Sequence, residues 1–201
     1  MIIFEKDINK VIPYDRQNYL EFLSDDLAAN LASPTKWYGV SFQLRGGYEG
    51  RAISLKEYLD AYKSWFKNII KQYDNGLDWI VNHDSTYAKW FPNKEANLST
   101  LRTLFRENNI SNEFDGALIL NTNDLLKFSE ELISYPLAVF NRPATVYHNL
   151  DISHSVLPFI IKISGHANID LLSTDKDLLK EVVNANASNG FILKPYRGTS
   201  L

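Results

Sequence analysis

The sequence predicts an α+β fold whose C-terminal half runs β-α-β-β-α-β, with an N-terminal half of alternating helices and strands packed against it. Three observations carry that reading. Several stretches repeat apolar residues at spacings of three and four, the mark of amphipathic helices. Other short stretches alternate apolar and polar residues, as half-buried strands do. Capping residues and turn formers separate the two kinds of segment.

Positions 2–4 read as a first strand. Asp15 can cap a helix whose Tyr19, Leu20, Leu23, Leu27 and Leu31 make one apolar face, stopped at Ser33-Pro34. Beyond Trp37 the chain alternates. Tyr38, Val40, Phe42 and Leu44 point one way and Ser41, Gln43 and Arg45 the other, which predicts a half-buried strand. Ser54-Leu55-Lys56-Glu57 is a capping box, in which each outer side chain satisfies a backbone N–H at the helix start. The helix it opens buries Leu55, Leu59, Tyr62, Phe66, Ile69 and Tyr73 and ends at Asn75-Gly76. A strand over 77–81, a long loop over 82–97 and a helix on Leu98, Leu101, Leu104 and Phe105 complete this half.

In the second half, positions 117–120 are apolar on both faces, as an interior strand is. Asn123 caps a helix through Ile133 that Pro136 closes. Positions 159–163 and 169–172 flank the turn Ser164-Gly165-His166-Ala167 and are expected to pair antiparallel. Thr174-Asp175-Lys176-Asp177 opens a helix with Leu178, Leu179, Val182 and Val183 inward, and Asn189-Gly190 ends it before a last strand over 191–194. This β-α-β-β-α-β order is ferredoxin-like. No linker or low-complexity stretch interrupts the chain, so 1–201 reads as a single domain with sub-halves 1–110 and 111–201, and a duplication of one half in the other stays open.

Composition narrows the function classes. A net charge of −3, spread along the chain, makes nucleic acid an unlikely partner, because phosphate binding needs clustered Lys and Arg. There is no cysteine, so neither disulfides nor thiolate chemistry is available. The longest apolar stretch contains Pro158 and falls far short of the ~18 residues of a membrane span. The apolar run at the first residues is too short for a secretion signal, and the expected compartment is the cytoplasm, with no membrane contact.

No phosphate loop, dinucleotide fingerprint, serine elbow or zinc-protease helix occurs. His148, Asp151 and His154 have the residue types for a metal site, but their setting of prolines, serines and asparagine predicts a loop, so no metal and no cofactor is expected. Arg45-Gly46-Gly47-Tyr48-Glu49-Gly50-Arg51 has glycines and flanking arginines before a helix start, yet its spacing is that of a turn. Lys56, Lys63, Lys67 and Lys71 read as a solvated helix face with Asp60 as a partner. Tyr196-Arg197 resembles the aromatic–arginine motif of ADP-ribosyltransferases. Glu130-Glu131 precedes it, the wrong order for that site.

One segment stands apart. The 82–97 loop carries Tyr87, Trp90 and Phe91 among polar residues, and long loops in small domains are often functional. Exposed Trp and Tyr are favoured at binding hot spots, with core packing of the same rings as the alternative. Glu49 and Asp84 are the acids placed to steer a basic partner. The sequence therefore points to a non-enzymatic binding protein of inhibitor or immunity type. Its partner would be a protein such as a toxin, met through Tyr87, Trp90, Phe91, Glu49 and Asp84. A hydrolase or transferase with dispersed catalytic residues, metal-assisted through His148, Asp151 and His154, is the alternative.

Overall fold

The structure, a computed structural model, describes residues 2–24, 33, 35–86, 88–91, 98–111, 113–139, 148–188 and 190–199. Its elements in chain order are β1 (Ile3–Glu5), α1 (Arg16–Leu23), β2 (Tyr38–Leu44), α2 (Arg45–Tyr48), α3 (Leu55–Gln72), β3 (Trp79–His83) and α4 (Ser99–Glu107). They continue with β4 (Ala117–Leu120), α5 (Thr122–Ala138), β5 (Leu150–His154), β6 (Phe159–Ile163), β7 (Ile169–Ser173), α6 (Lys176–Asn186) and β8 (Phe191–Pro195). All eight strands join one sheet in the order β1-β4-β3-β5-β6-β7-β2-β8, every neighbouring pair antiparallel.

The α+β class and the β6–β7 hairpin are present, the latter with Ile163 opposite Ile169 and Phe159 opposite Ser173. The ferredoxin-like order needs correction. The sheet has more strands than that order supplies, because Leu150–His154 is a strand and because the two halves interleave. β3 lies between β4 and β5, and β2 between β7 and β8. Leu150–His154 escaped the sequence reading because its outward-looking residues, Asp151 and Ser153, are polar and yet fully buried.

Local chemistry explains the boundaries. The Ser54–Glu57 capping box forms at the start of α3. The N-cap of α5 is Asn121 rather than Asn123, its side chain accepting from the Asp124 N–H at 2.9 Å. Pro136 lies inside the last turn of α5 instead of closing the helix after Ile133. Asn82 and His83 belong to β3 rather than to a loop. The helix from Asp15 is described as far as Leu23, and Leu27 and Leu31 lie outside the described residues.

The sheet has two unlike faces. On one, Trp79, Val81, Leu118, Leu120, Leu150, Ile152, Phe159, Ile161, Ile163, Ile169, Leu171, Val40 and Phe42 meet the apolar stripes of α3 to α6 in one continuous core. On the other, two smaller clusters form. Tyr19, Phe22 and Trp37 pack on Ile160 and Leu172, while Ile8 and Ile12 pack on Ile80 and Ala117.

Candidate functional site

Between those two small clusters and the end of the sheet, the strand register lines up a polar row. Asn82 faces Asp151, Asp151 faces Lys162, Lys162 faces Asp170, and Asp170 faces Ser41 across β3, β5, β6, β7 and β2. Because side chains alternate along a strand, directly opposed residues share a face, so all five project toward the α1 side. The charges alternate as acid, base, acid. Lys162 is 5 % exposed and Asp151 is fully buried.

Lys162 is the row's ammonium and has two acids in reach. Its Nζ contacts Asp84, which lies just past the end of β3, and stands 3.6 Å from Asp151 Oδ1. Burial works against the Lys162 charge, but Asp151 and Asp84 outweigh it and hold the group above the ordinary lysine range. One cation cannot fully compensate both carboxylates. Asp84, the nearer and better solvated, also accepts from Asn149 Nδ2 at 2.8 Å. Neither oxygen of Asp151 is in hydrogen-bond geometry with a described residue. Burial therefore pushes Asp151 up to about 7 despite Lys162, and Asp151 is the acid that takes up a proton near neutrality. Asp170, also buried, is pushed up to about 6 while Ser41, Lys162 and Asn168 oppose the shift.

A second row, nearer the solvent, closes the site. Asn149 accepts from the Gly165 N–H at 2.9 Å, and Asn168 Nδ2 donates to Ser41 Oγ at 3.0 Å and to Asp170 Oδ1 at 2.6 Å. From above, the Tyr19 hydroxyl lies by Asp151 and the Tyr14 hydroxyl by Ser153. Arg16 at the start of α1 donates to the carbonyls of His83 and Ser85 at 3.4 and 3.1 Å, tying α1 to the end of β3.

The three residues with metal-ligand chemistry do not converge. Asp151 faces α1, whereas His154, three positions along the same strand, faces the helical layer and packs edge-on against Trp79 at 5.1 Å. His154 Nδ1 accepts from the Val156 and Leu157 N–H groups, both at 3.1 Å, and its Nε2 lies 3.2 Å from Asn75 Oδ1, so the ring is neutral. His148 sits instead against His83, ring centres 6.1 Å apart. Among the described residues no three His, Asp or Glu side chains gather as a metal would require.

Of the residues expected to meet a partner, Tyr87 lies outside the described residues. Trp90 is 0 % exposed, its indole N–H donating to the Gly116 carbonyl at 3.0 Å, and Phe91 is 8 % exposed beside it. Both rings fold into the core against Phe105 and Tyr135. Asp84 is 13 % exposed and bound to Lys162 rather than projecting into solvent. Glu49 is exposed at the end of α2. Sequence reasoning missed Lys162, Asp170 and Asn168. The available signal was a charged residue set among apolar ones in each of two successive strand-like stretches, Lys162 in 159–163 and Asp170 in 169–172.

No family model, curated protein or solved structure matches this chain.

Proposed function

We propose that the chain is a non-enzymatic binding protein of inhibitor or immunity type, acting by direct contact with a protein partner such as a toxin. The observation that supports this reading is the use made of the chemistry-bearing side chains. Asp151, Lys162 and Asp170 are spent on one another within the sheet, and His83 and His154 are neutral rings inside the helical layer. At that end of the sheet the half-buried Asp84, Asn149, Asn168 and Gln43 form a polar rim, with the exposed Glu49 beyond the end of β2. Such a rim suits contact with a polar or basic protein surface, where complementary charge mainly accelerates association and sets specificity.

The test uses the purified product of the gene adjacent to the one encoding this chain. Calorimetric titration is expected to give a saturable complex whose association slows as salt is raised, and Glu49→Lys should weaken it at least about fivefold, the ~1 kcal/mol of a meaningful interface residue. A complex indifferent to Glu49→Lys and to salt would contradict the proposed surface. No complex at all would remove the support for this partner class.

A further inference from the structure

We propose that Asn75 is a self-modifying residue, its side-chain amide lost as ammonia through a cyclic imide closed by the Gly76 backbone nitrogen. Asn75 and Gly76 lie in the exposed turn that carries the chain from α3 to β3. Ring closure there needs a following residue whose nitrogen is unshielded, and Gly76 has no side chain to crowd it. Gly76 sits at φ 80, in the left-handed region that glycine adopts freely, with open space where a Cβ would stand.

The turn also activates both reacting atoms. Asn75 Oδ1 meets two donors, the Leu77 N–H at 3.1 Å and His154 Nε2 at 3.2 Å. His154 Nδ1 accepts from the Val156 and Leu157 N–H groups, so the ring proton is on Nε2 and that nitrogen donates to Asn75. Two donors on a carbonyl oxygen polarise its carbon and stabilise the negative charge that builds on the oxygen during attack. The nucleophile's proton has a destination as well. The Gly76 N–H donates to Asp74 Oδ1 at 3.4 Å, and the Thr122 hydroxyl donates to the same oxygen at 2.8 Å and orients it. Asp74 is thus placed to take the proton as a general base. Among the described residues none holds Asn75 Nδ2, the nitrogen that must leave. The bond from Gly76 N to Asn75 Cγ forms, the Cγ–Nδ2 bond breaks, and the Gly76 proton departs with Nδ2 as ammonia. Water then opens the imide at either carbonyl, giving aspartate or isoaspartate. Either product exchanges a neutral amide for a negative charge in the turn.

This site lies at the opposite end of β3 from Asp84 and does not depend on the binding-protein reading. It is tested by holding the purified full chain near neutral pH at body temperature and measuring, by peptide mass, the fraction of Asn75 converted. The same chain in concentrated urea gives the rate without the fold. The native chain is expected to convert at least about tenfold faster, a small part of what placed donors and a placed base contribute. Asp74→Asn keeps an acceptor for Gly76 and Thr122 but removes the base, and should slow conversion at least about tenfold. Should that variant fold poorly, the parent's native and unfolded rates decide alone. The proposal is overturned if the native chain converts no faster than the unfolded one, or if folded Asp74→Asn keeps the parent rate.

Discussion

The two faces of the sheet solve the burial problem by different physics. The helical face excludes water with aliphatic and aromatic side chains drawn from four helices, and its stability scales with apolar area removed from solvent. The α1 face is covered by less chain and buries an alternating row of charges between its two small apolar clusters. A buried ion pair recovers little more than its own desolvation cost. The comparison teaches that the α1 face is tuned for register and orientation more than for stability. Slipping β6 by one residue would set Lys162 among aliphatic side chains and bring an isoleucine against Asp151.

The largest expected contrast is in the apolar layer. Trp90→Ala should cost about 3–5 kcal/mol, as large aromatic truncations in packed cores do, with a sharp fall in melting temperature. A nearly unchanged melting temperature would return Trp90 to the surface and erase the distinction between the two faces.

The pH profile separates the faces next. Asp151 has its proton affinity raised from the ordinary carboxylate value to about 7, so its contribution is present below the ordinary value and lost as pH rises through 7. His83 is the reverse. Burial, with His148 beside it, pushes it down to about 3, so its contribution is present above the ordinary imidazole value and lost as pH falls toward 3. The two oppose each other in mildly acid solution. Asp151→Asn should remove the first and leave the second, so the variant's stability rises more steeply with pH between 4 and 6.5, by up to about 1.4 kcal/mol per pH unit. Urea denaturation across that range checks it, and a profile parallel to the parent's would mean that Asp151 is ionised throughout.

A smaller effect calibrates ordinary polar bonds away from both faces. The Glu131 carboxylate of α5 accepts from the Thr100 and Leu101 N–H groups at 2.8 and 2.7 Å, capping α4 from outside its own sequence. Glu131→Ala should cost about 1 kcal/mol, the usual worth of an N-cap, read as a shift in denaturation midpoint.

Legibility in the sequence followed the same division. The helical face was readable because its signals are local. The Ser54–Glu57 box, the α3 stripe through Tyr62, Phe66 and Ile69 (its predicted first member, Leu55, is exposed), and the alternation of Val40 and Phe42 against Ser41 and Gln43 each report on neighbours in the chain. The α1 face was not, because its logic is carried across strands. Asp151 looks like loop polarity and Lys162 like the polar side of a half-buried strand until the register sets them opposite each other, and Asp84 looks like a surface acid until Lys162 reaches it. The rings of Trp90 and Phe91 misled for a related reason. Their segment lacks periodicity because it turns sharply, with Phe91 at positive φ, and a strained turn can bury side chains that no repeat announces.

The account's central claim is that the buried charges under α1 are structural and answer chiefly to one another. Charge rescue at Lys162 tests it most directly, by denaturation of the parent, Lys162→Met, and Lys162→Met combined with Asp84→Asn and Asp151→Asn. Removing the cation alone should cost about 3–5 kcal/mol, because it leaves the fully buried Asp151 and the half-buried Asp84 without their shared cation. Neutralising both acids as well should restore most of that loss. A single variant as stable as the parent, or a triple variant no better than the single, would contradict the claim.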